Sequence, residues 1–495
     1  MTTTAPGTAR TDCEATREGP LRVRRSAWGR VGVAGCLLLL GMSACGRARD
    51  LVRRPATVPP ALLITDVSVL DVETGTLAPN RDVLLVADRI ASIGTVGQTH
   101  PPADTRTIAG TGATLLPGLI DMHGHIGISS APTWISLLPD PDRNMRAYLY
   151  CGVTTVLDPG DLGTHAFTRR AQVARGELLG PRIFAAGPLV TAPGGHPVAL
   201  LQRLAPWWIR WYVIPRLTRQ VDSPAAARAA VKEICGLGAD VIKLAVDRIP
   251  AAAPRIRREV LAAAVDEAKQ HGVRAVAHIG TLEDALDAAD AGVAAWMHGV
   301  YKERIPDDQI ARLAAFHIPM VATIGIFESY AVLGQGPRIP TTLERETVEA
   351  DILTAFDHVP ETDAITFFQP YLNSLRGLRA AWRDNVRRLR AAGVTILAGS
   401  DTQSGVFPGA GLHRELQLLT EAGLTPAEAI RAATIDAARF LANGTEPEFG
   451  TIAAGKRADL LLVDGDPTVD LDALARIRSV IKGGVQLERI GIPSN

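Results

Sequence analysis

Six residues of this chain have the types and settings needed to hold and use metal ions. His123 and His125 stand one residue apart in LPGLIDMHGHIG. On an extended strand, side chains two apart point to the same face, so both imidazoles could chelate one cation. His278 closes the apolar run AVAH, and His298 closes WMH. Either alone is more often a satisfied core histidine. Asp401 ends ILAGSD. A carboxylate there can ligate a cation and accept a proton, or cap a helix. Lys243 interrupts the apolar run DVIKLA, where a buried ammonium is costly. It either snorkels from the strand end or carries an amine that adds to CO2. The resulting carbamate is a long anionic group able to bridge two cations.

These positions fall at the ends of short apolar runs, which predict strands at 115–121, 152–157, 182–187, 240–246, 274–279, 293–298, 319–324 and 394–400. Ala-rich helical stretches intervene, for example at Pro224–Gly236, 257–271 and 375–392. Strand–helix alternation predicts an α/β protein with a parallel sheet covered by helices. Eight units over residues 115–441 fit a (β/α)8 TIM barrel, whose catalytic groups sit at the C-terminal strand ends. Thr425-Pro426-Ala427-Glu428 combines a capping box with Pro at the first helical position. It predicts a last barrel helix running to Asn443-Gly444. Residues 61–114 and 442–495 read as short strands with turns. They predict one small β-sandwich domain built from both chain ends.

Lys+Arg and Asp+Glu both number 52, so no basic excess exists to bind a phosphate backbone and nucleic acid is not an expected partner. Residues 1–44 read as a signal peptide. Arg22, Arg24, Arg25 and Arg30 precede the uncharged run VGVAGCLLLLGMSA, which is shorter than the about 20 residues a spanning helix needs. Met42-Ser43-Ala44-Cys45 resembles a bacterial lipobox, with Cys45 as the lipidated first residue; an uncleaved anchor is the alternative. Residues 45–60, basic and Pro-rich, read as a tether. The expectation is an exported lipoprotein, membrane-anchored and facing the periplasm or cell exterior. Cys151 and Cys235 lie in apolar segments and are expected as buried free thiols. Homo-oligomers are compatible with the sequence.

The ordered set PGLIDMHGH, IKL, AHI, MHG and AGSDT, closed by Gly455-Lys456-Arg457-Ala458-Asp459-Leu460, resembles the amidohydrolase superfamily across residues 61–495. Lys243 makes it similar to the binuclear subtype. Gly180-Pro181-Arg182-Ile183-Phe184 and Gly194-Gly195-His196 resemble the branch of Xaa-Pro and Xaa-Arg dipeptidases, ochratoxinase and imidazolonepropionase-related enzymes. Imidazolonepropionase itself lacks the bridging lysine, so Lys243 argues against that activity. The resemblance implies one ion on His123, His125 and Asp401 and a second on His278 and His298. Carbamylated Lys243 and a hydroxide would bridge them. Nitrogen and oxygen donors suit zinc. The implied reaction is hydrolysis of an amide bond in a small-molecule substrate, a dipeptide or N-acyl amino acid. The bridging hydroxide attacks, and Asp401, the catalytic residue, takes the proton and returns it to the amine. A lactone, phosphoester or cyclic amide is the alternative substrate for the same site.

Loops after the strands carry the candidate substrate-binding residues His196, Tyr301 and Arg248, with Lys302 and Arg304 beside them. A cationic or phenolic group there could hold a terminal carboxylate, or be an ordinary surface side chain. His413 and Glu415 either support the site or begin a helix. Trp207, Trp208, Trp211 and Tyr212 crowd one loop. They predict either an amphipathic lid, admitting apolar substrates or resting on a bilayer, or an insertion packed on its own barrel.

Overall fold

The computed structural model describes residues 50–135 and 137–492. The expected signal peptide, Cys45 and residues 46–49 of the tether lie outside this range. Val52–Arg53 pairs antiparallel with Glu488–Arg489 and buries Leu51 and Val52, so residues 51–53 of the expected tether belong to the fold. Inside that pair, segments from both parts of the chain form one eight-stranded sheet. Its path runs Val485–Gln486, Ile477–Lys482, Leu460–Asp464, Ala113–Pro117, Ala61–Asp71, Thr76–Val86 and Arg89–Thr95. Arg106–Ala109 pairs with Ala61–Asp71 off this path. Leu460–Asp464 lies antiparallel to Ala113–Pro117, with Leu462 opposite Leu115. Alternation along these strands buries Leu62, Ile64, Val83, Leu115, Leu460 and Leu462 in one apolar cluster.

The chain leaves this sheet at Gly118. A Cβ there would stand 2.3 Å from the Thr154 side chain, so only glycine fits the crossing. Beyond it the strands are parallel. Leu119–Asp121, Val153–Asp158 and Arg182–Ala185 pair in that order. A second parallel sheet runs Thr218–Gln220, Leu189–Thr191, Val241–Ala245, Arg274–His278, Ala295–Met297, Met320–Val321 and Ile396–Leu397. The Asp240 amide donates to the Ala185 carbonyl at 2.9 Å, and the Met122 amide to the Ala398 carbonyl at 3.0 Å. Hydrogen bonds thus join both edges of the three-stranded sheet to the seven-stranded one.

Side chains split by parity. Ile120, Leu157, Val241, Val276, Met297, Val321 and Leu397 form one cluster. Leu119, Ile242, Leu244, Ala277, Trp296 and Met320 belong to the larger cluster that includes the helices. Strands buried on both faces read as continuous apolar runs, and the architecture is mixed α/β.

The helix Pro224–Gly236 begins at Ser223, whose side chain accepts from the Ala226 amide. Arg258–Gln270 also falls where the sequence places a helix. Four elements differ. Leu189–Thr191 and Thr218–Gln220 are strands too short for a periodic signal. The helix expected at 375–392 extends over Asp363–Ala391, running through Pro370. The last helix is two, Pro426–Ala432 and Ile435–Leu441. The carbonyls of Ala432 and Ala433 accept from the amides of Ala398 and Ile120, so the strands take the acceptors that a continuous helix would need.

Candidate active site

Alternation puts Lys243 and Ala245 on the face of Val241, and His278 on that of Val276. Val241 and Val276 fill the inner cluster. Lys243, Ala245 and His278 line a cavity of about 440 Å³ together with His123, His125, His298 and Asp401. All six expected metal-site residues therefore meet in one place.

Asp401 is at its centre. Its Oδ1 lies 3.3 Å from His125 Nε2 and 3.6 Å from His123 Nε2, and its Oδ2 lies 3.9 Å from His298 Nδ1. Two ligands of one tetrahedral zinc stand about 3.3 Å apart, given bond lengths of about 2.0–2.1 Å. The two shorter spacings, to His125 and His123, fit donors that share an ion. His123, His298 and Asp401 each offer an atom within 4.8 Å of the others, which groups His298 with two residues expected on the other ion. The His278 and His298 ring centroids are 4.2 Å apart. His123 Nδ1 and Lys243 Nζ are buried without a hydrogen-bond partner. Two orphaned nitrogens in one pocket are costly, and cations with a carbamate on Lys243 would offset that cost. The residues present fit a pair of divalent ions.

The backbone is bent to reach this geometry. His298 has φ +93° and Asp401 φ +54°, conformations costing non-glycine residues about 1–3 kcal/mol each. Surrounding bonds hold them. The Asp401 amide donates to the His123 carbonyl at 2.6 Å. Asp121, fully buried, accepts from the amides of His123 and Ser400 at 3.0 and 2.9 Å. The His125 amide donates to Thr402 Oγ1 at 2.7 Å. His298 Nδ1 is engaged by Thr323 Oγ1 at 2.6 Å, which leaves its other nitrogen for a ligand bond.

Burial holds His123, His278 and His298 below the ordinary histidine range, and Lys243 adds to the effect at all three. These imidazoles are neutral, the form that ligates a cation. Burial pushes the Lys243 amine down to about 7, partly opposed by Asp401. Near neutral pH a large share is free amine, the form that adds to CO2. Burial also opposes charge on His125, yet the Asp158 and Asp401 carboxylates raise it to about 10.

Of the expected substrate-binding residues, only His196 lines the cavity. Its ring lies 4.6 Å from that of His278, and its Nδ1 has no partner. Tyr301 and Arg248 are placed elsewhere. Tyr301 is buried, donates to Asp247 Oδ2 and stacks on Phe327 at 3.8 Å. Arg248 is exposed, and neither is among the cavity-lining residues. Lys302 also donates to Asp247, and Arg304 pairs with Asp307 and Asp384. His413 Nε2 lies 2.8 Å from the Cys151 carbonyl. Glu415 accepts from the amides of Ile324 and Gly325. Both support helices instead of touching the cavity. Cys151 and Cys235 are free thiols, the first buried and the second partly so.

Two acids escaped the sequence reading. Asp247 Oδ2 lies 3.4 Å from His278 Nε2, and Asp158 Oδ1 lies 3.5 Å from His125 Nδ1. Such carboxylates orient histidine ligands and raise their basicity. The available signal is the one that marks Asp401, an acid at or just beyond the end of an apolar run.

The outer cavity is apolar, with Ile128, Trp134, Leu200, Leu201, Leu204 and Phe368 in its wall. Among the described residues no arginine lines it.

Residues 114–487 match the amidohydrolase family. An uncharacterised protein of Mycobacterium tuberculosis is 27% identical over 381 residues, covering 74% of this chain and 84% of its own. The ochratoxinase of Aspergillus niger is 24% identical over 511 residues, covering 95% and 97%. A solved Xaa-Pro dipeptidase with methionine bound in its active site superposes with a TM-score of 0.69 at 24% identity. That match covers 86% of this chain and 99% of the dipeptidase. The family match spans most of the described chain and includes all six residues around the cavity, so the chain belongs to the amidohydrolase family of metal-dependent hydrolases acting on carbon–nitrogen bonds.

Proposed function

We propose that this chain is a binuclear metal hydrolase cleaving an amide bond in a dipeptide or N-acyl amino acid. The observation carrying this reading is the Asp401 carboxylate set 3.3–3.9 Å from three histidines. His123, His125 and Asp401 would hold one ion and His278 and His298 the other, with Lys243 as a carbamate between them. Zinc suits these donors. When bound, such a pair polarises a carbonyl and makes water acidic enough to attack at neutral pH.

The chain's own residues supply the remainder. Asp401, whose carboxylate lies against three of the histidines, accepts the proton of the attacking water. It then delivers that proton to the departing amine nitrogen. Asp247 and Asp158 hold His278 and His125 in orientation. His196 lies beside His278 and faces the substrate. The apolar wall of Leu200, Leu201, Leu204 and Phe368 favours a bulky apolar side chain or acyl group and excludes water.

The same proposal covers architecture and setting. Residues 118–441 form a (β/α)8 barrel, with Arg182–Ala185 and Leu189–Thr191 as parts of one interrupted strand. The hydrogen bonds from both edges of the three-stranded sheet support closure. Residues 61–117 and 442–495 form the β-sandwich domain, three residues longer than the expected 61–114 because Ala113–Pro117 pairs with Leu460–Asp464. Residues 1–44 direct export and Cys45 carries the lipid anchor, as the uncharged run at 31–44 supports. Among the described residues no helix is long and apolar enough to cross a membrane.

The test is a hydrolysis screen of the zinc-loaded protein with bicarbonate, against dipeptides and N-acyl amino acids. Release of free amino acid, greatest for bulky apolar substrates, is the expected result. Silence across the library with two ions bound would overturn the amide assignment and turn the search to lactones, phosphoesters and cyclic amides.

A further inference from the structure

Between cavity-lining Ala205 and Leu217 the chain turns large apolar side chains to solvent. Trp207, Trp208 and Trp211 are 79%, 57% and 73% exposed, and the helix Arg210–Leu217 buries no residue. A single exposed indole needs no explanation; three side by side do. Leu138, 68% exposed, stands on a second loop of the same rim, between cavity-lining Leu137 and Pro139. The preceding helix Val198–Leu204 lines the cavity with Leu200, Leu201 and Leu204. The rim therefore lines the cavity inwardly and presents indoles outwardly.

Its charge is one-sided. Residues 198–221 contain four arginines and no acid. Arg219 pairs with Glu233. Arg203 and Arg216 lie over the rings of Phe367 and Tyr212, and Arg210 donates to the Ala205 carbonyl. These last three have no carboxylate partner among the described residues. Indoles favour the headgroup level of a bilayer, and unpaired cations beside them favour anionic lipid phosphates. A second copy of the chain would meet this rim with the same positive charge, which is unfavourable.

We propose that residues 203–217 seat the cavity mouth on an anionic phospholipid surface. Trp207, Trp208 and Trp211 enter the headgroup layer, and Arg203, Arg210 and Arg216 face lipid phosphates.

The test uses the full chain carrying Cys45→Ser, so that no acyl group contributes. It is mixed with phosphatidylcholine vesicles with and without phosphatidylglycerol, some carrying brominated acyl chains that quench nearby indoles. The expected result is quenching that requires phosphatidylglycerol and is lost with Trp207→Ser/Trp208→Ser/Trp211→Ser. Partition should fall about tenfold or more in that variant and similarly with Arg203→Gln/Arg210→Gln/Arg216→Gln. All three indoles are mostly solvated, so unchanged circular dichroism is expected; the parent's quenching stands as a measurement even if the variant misfolds. Equal quenching of parent and variant, or indoles that stay unquenched on bound vesicles, would overturn the proposal. So would a parent dimer that the tryptophan variant abolishes, which would assign the rim to a second copy. The readout involves no hydrolysis, so its failure is separable from failure of the amidase reading.

Discussion

Asp401 Oδ1 lies 3.3 Å from His125 Nε2, joining the turns that follow the first and last strands of the parallel set. One carboxylate thereby faces histidines from two separate strand ends, His123 and His125 after Leu119–Asp121 and His298 after Ala295–Met297. A group so placed can serve both as an ion ligand and as a carrier of the proton that hydrolysis moves from water to amine.

Asp401→Asn removes the basic oxygen and keeps the shape. The expected result is a fall in kcat of about 10²–10⁴-fold, the usual range for losing a positioned base. Metal content should fall less, because the histidines remain. Parallel kinetics and elemental analysis check this; unchanged kcat would remove Asp401 from proton transfer.

Lys243 gives a second prediction through its amine, held down to about 7 by burial. Metal loading should rise with bicarbonate and should be poorer at acidic pH, where the amine is protonated. Lys243→Ala should bind less metal and lose the bicarbonate response. Loading that ignores CO2 in the parent would show that the lysine stays an amine.

Asp247 is predicted to act through His278. Asp247→Asn should lower metal affinity about 10–100-fold, as expected for a group that orients a ligand, and should shift the pH profile of the bound site. Competition with a chelator measures the first effect. Tyr301→Phe removes a donor to Asp247 and should give a smaller loss in the same direction.

How much of this was visible in the sequence follows from what a strand encodes. Lys243 and His278 could be located because alternation fixes a strand side chain's face and an apolar run makes a polar residue conspicuous. Asp401 and His298 were visible as polar residues ending such runs. Asp158 and Asp247 were not, since an acid after a strand looks the same whether it caps a turn or faces a histidine. Tyr301 and Arg248 sit on loops, which have no period to fix a side chain's direction. The break between Ala432 and Ile435 arises from hydrogen bonds to strand residues far away in sequence. Local capping signals carry no trace of that.

A fourth prediction concerns stability. Burial pushes the Glu415 carboxyl up to about 8 from 4.5, although the amides of Gly325 and Ile324 pull it down. The folded chain then keeps a proton that the unfolded chain releases. This contribution is fully present below about 4.5 and is lost as pH rises through about 8. Glu415→Gln should therefore flatten the fall in the urea midpoint across that window. An identical pH dependence in parent and variant would show that Glu415 is charged in the native state.

The most direct test of the central claim is the number of ions the site holds. The protein is saturated with zinc in bicarbonate buffer, dialysed, and measured by elemental analysis beside Lys243→Ala. The account predicts two ions per chain in the parent and fewer in the variant, with amide hydrolysis lost on chelation and restored by zinc. A parent that hydrolyses amides at its full rate with one ion per chain, or with none, would contradict it.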